Sequence, residues 1–236
     1  MFLALYLIAL SLFVLYLFLR FKMQKVSQFD TIKAKKVEII QSDGKPALIL
    51  FNSENIPPPI IEGKRYPSNL RNIGLNANGI VFYNNNGDEI GGIVFGNKKD
   101  ENGNVYQGIH ISFDAFQQDE VFHIDCSQYG GERWLEINAF NQPEKSLKPM
   151  LEKLTEINSI QDTSERKTKM KEFENWKEKE YGKMYIPIFS IKNENGKAGI
   201  ELYDKRGNLR IRLYIDEDEN PRLEFYDTNG KVIKSL

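Results

Sequence analysis

From Val37 onward the chain repeats one device: short runs of alternating apolar and polar residues, separated by Asn-Gly, Asp-Gly or Gly-Gly pairs. No other feature restricts the fold as much, because alternation with period two puts every second side chain on one face of a strand. The glycines supply the positive φ that tight hairpins require. "VEIIQSDGKPALILFN" reads as a hairpin turning at Asp43-Gly44. "GIVFYNNNGDEIGGIVFG" turns at Asn86-Gly87, "NKKDENGNVYQGIHISFDAF" at Asn102-Gly103 and "EVFHIDCSQYGGERWLEINAF" at Gly130-Gly131. The expected product is an antiparallel sheet made mostly of hairpins.

The closing stretch, "IELYDKRGNLRIRLYIDEDENPRLEFYDTNGKVIKSL", carries the pattern to the C-terminus as a meander. Leu209, Ile211 and Leu213 share one face of a strand, and Arg210 and Arg212 the other. On the next strand Leu223 and Phe225 are the apolar partners, while Glu224 and Tyr226 alternate with them. Face matching excludes any register that pairs odd with even numbers. It sets Arg210 and Arg212 beside Glu224 and Tyr226, with Glu201 arriving from the preceding strand. These cross-strand pairs are expected to be structural, and Arg210, Arg212, Glu224 and Tyr226 also form a possible interaction surface. The turn "DEDENPRLEFYD" mimics the ligand spacing of a calcium loop, with Asp216, Asp218, Asn220 and Asp227. Pro221 stands where that loop needs glycine, and strands rather than helices flank it, so a solvated hairpin turn is expected.

Between Pro143 and Lys183 the period changes. Leu147, Met150, Leu151, Leu154 and Ile157 recur at helical spacing, with Pro149 placed to start a helix. Asp162 to Ser164 offer an N-cap for a second helix, whose stripe is Met170, Phe173 and Trp176, before Gly182. Earlier, Pro57, Pro58 and Pro59 stiffen the long loop before Asn76.

The N-terminal run "MFLALYLIALSLFVLYLFLR" has only Ser11, Tyr6 and Tyr16 as polar side chains up to Leu19. As a helix it would span about 28 Å, close to the hydrocarbon thickness of a bilayer. A cleaved signal peptide fits less well, since no basic residue precedes the run and no small-x-small site follows it. The reading is an uncleaved single-pass anchor over 1–20, the lipid bilayer being its partner. Arg20, Lys22 and Lys25 flank its C-terminal end, which places the large domain in the cytoplasm, with a periplasmic domain as the alternative. The expected order is anchor 1–20, connector 21–36, β region 37–142, two-helix segment 143–183 and β meander 184–236, the last expected to form one domain with 37–142. In class this is an α+β chain, mainly antiparallel hairpins and meander with a two-helix insertion, preceded by one transmembrane helix.

Composition narrows the chemistry. The 32 basic and 33 acidic residues give no electrostatic bias, which argues against a nucleic-acid binder. One cysteine, Cys126, rules out an intrachain disulfide. His110 and His123 are the two histidines. On a strand His123 and Cys126 point to opposite faces, so no metal site and no activated thiol is expected from that pair with Asp125. The Gly91-Gly92 pair lacks the context of a phosphate loop and suggests close backbone approach or a bulge. No cofactor is expected.

"NGIVFYNNNGDEIGGIVFG", "SFDAFQQDEV" and "DEDENPRLEFYDTNGKVIKSL", in that order, resemble a family of uncharacterised, membrane-anchored bacterial β-rich proteins that end in Asp-x-x-Gly hairpins. The resemblance covers most of the chain after residue 37 and implies a bacterial envelope setting, with no activity or catalytic residue to carry over. The expected function is a non-enzymatic scaffold or accessory subunit presenting its β domain to a protein partner or to a second copy. One alternative is a small-ligand or glycan-binding domain using Tyr83, Tyr106, Trp134 and Tyr203. Another is a hydrolase built on Asp114, Asp119 and His123.

Overall fold

The protein is described from a computed structural model that covers residues 2–23, 28–71, 76–194 and 196–236, with backbone only at Phe21, Lys22, Met23 and Glu194. It divides into a unit ending at Ala34 and a second unit, Lys35–Leu236. The first unit holds helix α1, Phe2–Met23. Over Phe2–Arg20 it is long and apolar enough to cross a membrane or to serve as a signal sequence.

The second unit is α+β and mostly antiparallel β. Its strands are β1 (Lys36–Ile40), β2 (Pro46–Phe51), β3 (Ile60–Ile61), β4 (Lys64–Arg65), β5 (Asn76–Tyr83), β6 (Glu89–Lys99) and β7 (Val105–Asp114). They continue as β8 (Glu120–Tyr129), β9 (Glu132–Asn141), β10 (Ile186–Glu194), β11 (Lys197–Tyr203), β12 (Leu209–Ile215), β13 (Pro221–Tyr226) and β14 (Val232–Ser235). Among the described residues, twelve of these form one sheet in sequence order, and β3 and β4 pair separately. Helices α2 (Lys148–Ser159) and α3 (Thr163–Tyr181) interrupt the sequence between β9 and β10, which pair directly.

The helices start and stop as their residues dictate. Pro149 lies in the first turn of α2. Asp162 caps α3, its Oδ1 accepting from the Glu165 amide at 2.7 Å. Gly182, at φ +66°, ends α3. Phe173 and Tyr181 are the buried residues of α3, with Trp176 against both rings.

The turns depart from the simplest expectation. At Asn86-Gly87 and Asn102-Gly103 only the glycine has positive φ, +81° and +84°. The loop is three residues long: Asn84 O accepts from Gly87 N, Asn84 Oδ1 accepts from Asn86 N and Asp88 N, and the ladder slips at Tyr83. This is a type I turn closed by a left-handed residue and a bulge. Asp100, Asp204 and Asp227 build the same loop, which is why the spacing Asp-x-x-Gly recurs. At Gly130-Gly131 both residues have positive φ, +58° and +93°, as a two-residue hairpin needs. Gly91 and Gly92 serve close approach: a Cβ on Gly92 would lie 2.5 Å from the Ile80 carbonyl oxygen.

Strand pairing creates two unlike faces. On one, a single row runs Val37, Leu50, Ile80, Ile93, Ile111, Ile124, Ile137, Ile191, Ile200, Leu213 and Leu223 across eleven strands. We call this the aliphatic face. On the other, Ile49, Phe51, Val81 and Tyr83 pack under Ile56 and Ile60 of the β2–β5 loop to make the hydrophobic core. Arg71, on that loop, pins it to β6 through a two-point ion pair with Glu89 at 2.6 and 2.5 Å. From β7 onward this second face turns polar.

Candidate functional site

The polar part of the second face begins at the β7–β8 hairpin. Its register sets His110 opposite Asp125 and Ser112 opposite His123, and β9 adds Asn138 opposite His123 and Glu136 opposite Asp125. Alternation therefore turns His110, His123, Asp125, Glu136 and Asn138 to one side. A bulge at Phe113/Asp114 brings Glu120, at the start of β8, back over both imidazoles. Glu120 Oε2 is 3.1 Å from His110 Nε2 and its Oε1 is 2.9 Å from His123 Nδ1. Asp125 closes the ring from behind, with Oδ1 2.9 Å from His110 Nδ1 and Oδ2 3.4 Å from His123 Nε2. The amide of Asn138 reaches His123 Nε2 at 2.8 Å and Glu136 at 3.1 Å.

Charge is redistributed accordingly. The hydrogen bonds from His110 to Asp125 and then to Glu120 outweigh burial and push the imidazolium of His110 up to about 10. Burial opposes ionisation of Glu120, but the two histidines overcome it and hold the carboxyl down at about 2. Asp114 moves the other way, raised to about 8 by burial and by the nearby Glu89, Asp119 and Glu120.

His110, Glu120, Asp125 and Glu136 of this cluster line a cavity of about 1050 Å³. The sheet supplies Tyr106, His110, Glu120, Asp125, Trp134 and Glu136; Pro59, Ile61 and Leu70 of the β2–β5 loop, Leu147, Leu151 and Tyr185 form other walls. Six carboxyl groups border it, from Glu89, Asp114, Asp119, Glu120, Asp125 and Glu136, with Asp114 held protonated at neutral pH, against Arg71, Lys98 and the His110 imidazolium, and Arg71 is committed to Glu89. The cavity is therefore suited to a cation.

The residues singled out from sequence fall in several places. Asp114 and Asp119 line the cavity, but His123 bonds to Glu120, and Asp119 accepts from the Tyr185 hydroxyl. Asp114, Asp119 and His123 thus do not form one hydrogen-bonded unit. Of the four aromatics, Tyr106 and Trp134 face the cavity, Tyr83 is buried in the core and Tyr203 bonds to Glu201. They do not make a single platform. Cys126 pairs with Ile109 on the aliphatic side, away from His123.

In the meander, Arg212 sits opposite Glu201 and Glu224 on its two neighbouring strands, and Arg210 Nε donates to the Tyr226 carbonyl at 2.9 Å. Asp216 accepts from Asp218 N, Asn220 N and Arg222 Nε, so its carboxylate clamps a hairpin turn. Glu219 takes the left-handed position at φ +62°. Arg20 is exposed on α1, whereas the Lys22 side chain and Lys25 lie outside the described residues.

Sequence reasoning weighed His123 against Cys126 and missed its convergence with His110 and Glu120. The signal was present: paired residues in the β7–β8 hairpin sum to 235, as 110 + 125 and 112 + 123 do. Placing that turn correctly would have brought the histidines together. No protein-family model matches the chain, and no curated protein matches its sequence.

Proposed function

We propose that the chain is a membrane-anchored, non-enzymatic scaffold that presents the aliphatic face of its sheet to a protein partner at a bacterial membrane. The observation that carries this reading is the unbroken aliphatic row across eleven strands, with Leu50, Ile191, Ile200 and Leu213 each 38–46% exposed. Ten strand spacings of about 4.8 Å make the row roughly 48 Å long. Phe95, Ile109, Phe113, Leu135 and Leu202 on the same face are each 40–56% exposed beside it. Monomeric proteins seldom expose so large a contiguous apolar patch. An apolar sheet or helix layer on the partner is the complementary chemistry.

Residues 1–20 hold the chain in the bilayer, and the basic residues after them place the β domain on the cytoplasmic side of the inner membrane. Purification from the native membrane in mild detergent, followed by mass spectrometry, should recover one stoichiometric partner. The double substitution Ile191→Lys/Leu213→Lys should release that partner and leave thermal unfolding unchanged. Recovery of free monomer alone from wild-type membranes would sink the reading. Digestion of the domain by protease added to intact cells would overturn the orientation.

A further inference from the structure

We propose that His110, His123 and Glu120 form a binding site for a divalent transition-metal ion of the zinc class, oriented from behind by Asp125 and open to the cavity at its remaining coordination position. The donor set argues first. Two imidazoles and one carboxylate suit zinc, cobalt or nickel, whereas calcium and magnesium call for oxygen donors throughout. Three protein ligands with one open position is also the arrangement of zinc sites that bind an exchangeable fourth ligand.

Geometry argues second. One donor atom from each of the three side chains lies within 4.8 Å of the other two. Tetrahedral zinc, with bonds of about 2.0–2.2 Å, separates its ligand atoms by roughly 3.3–3.5 Å. Glu120 reaches the two imidazoles with different oxygens, Oε2 at 3.1 Å from His110 Nε2 and Oε1 at 2.9 Å from His123 Nδ1, so an ion between them is held by both oxygens or by one after the carboxylate turns. His110 and Glu120 lie at the cavity wall, which leaves room for that movement.

The support behind the ligands is what separates this cluster from an ordinary surface ion pair. Each imidazole presents one nitrogen to Glu120 and the other to Asp125, at 2.9 Å for His110 Nδ1 and 3.4 Å for His123 Nε2. Ligating histidines commonly donate their remote N–H to a carboxylate in this way, which fixes the tautomer and the ring orientation. In the metal-bound form both remote nitrogens would carry N–H groups, with Asp125 as their acceptor. The competing arrangement has a proton rather than a metal between the imidazoles and Glu120, and the two make different predictions for uptake.

His110 and His123 are the chain's two histidines, so imidazole-dependent metal uptake has one possible location. The full chain, carrying no oligohistidine tag and stripped with EDTA in detergent micelles, would be titrated with Co²⁺ followed by visible absorption, and with Zn²⁺ against a chromophoric chelator. One equivalent of each ion is expected, with the strong d–d bands of tetrahedral cobalt and a Zn²⁺-dependent rise in melting temperature. Asp125→Asn should weaken binding by about 10–100-fold through the ring orientation. Glu120→Gln, nearly isosteric, should abolish the tetrahedral spectrum while preserving the fold, and His110→Ala/His123→Ala should abolish uptake. A wild-type chain that takes up neither ion overturns the proposal. So does uptake of equal strength in the Glu120→Gln and double-histidine variants. Neither result touches the partner-binding reading, which depends on the opposite face of the sheet.

Discussion

Titration of His110 reports on the histidine–carboxylate network directly. Asp125 and Glu120 hold its imidazolium up at about 10, against 6.5 for an ordinary histidine. A group raised in the folded state stabilises fully below its unfolded value and loses that contribution as pH rises through the folded value. The contribution of His110 is therefore whole below about pH 6.5 and spent just above pH 10. Glu120, held down at about 2 from an ordinary 4.5, sets the acid limit: its contribution is present above 4.5 and lost as pH falls toward 2. The His110 gap corresponds to about 4–5 kcal/mol at roughly 1.36 kcal/mol per pH unit. Its side chain is 33% exposed, and solvent screening reduces the figure to about 2 kcal/mol. For a unit of this size that is roughly 4–8 °C in melting temperature. The assay is thermal unfolding of the full chain in detergent with EDTA, followed by tryptophan fluorescence, for wild type and His110→Asn. The advantage of wild type at about pH 6 should shrink by about 2 kcal/mol at about pH 10. A wild-type-minus-variant difference that stays constant between those values would refute a charged, doubly hydrogen-bonded His110.

Two further substitutions test how the sheet is built. Gly92→Ala pushes a methyl against the Ile80 carbonyl oxygen, 2.5 Å from the new Cβ, and should cost about 2–3 kcal/mol in urea unfolding. A change under about 0.5 kcal/mol would mean that β5 and β6 separate easily at this point. Arg71→Met strands the Glu89 carboxylate, whose side chain is 17% exposed, and also removes the bond from Arg71 Nε to the Pro57 carbonyl. The expected loss is about 3 kcal/mol, with Arg71→Met/Glu89→Leu less destabilised than the single variant. Equal stability of single and double variants would show that the pair does not tie the β2–β5 loop to the sheet.

Much of the fold could be read before any coordinates because hairpins are local. The alternation at Leu209, Ile211 and Leu213 and the turn beginning at Asp204 lie within a few residues of each other, so face and turn specify one register. Parity limits the partners of Arg212 to even-numbered residues, and Glu224 is the partner observed. Asp162 as the cap of α3 and Pro149 at the start of α2 are likewise short-range effects. The turn type was less legible, since Asn86-Gly87 is compatible with a two-residue loop. What decides for the longer one is the side chain of Asn84, which holds two amides of the turn at once.

The sequence by itself determined an apolar N-terminal helix, a hairpin meander, two inserted helices and a chain with no electrostatic bias. Each of these rests on period, turn chemistry or composition, which act over a few residues. Only the tertiary structure decided that the strands on either side of the helices are neighbours in one sheet, and that an aliphatic row crosses eleven of its strands on one face. It also brought Glu120 over His110 and His123, and folded the β2–β5 loop into the core beside them. Those outcomes depend on how successive registers add across many strands and on where one bulge falls. A displacement of one residue at Phe113 would turn His110 to the opposite face from Asp125.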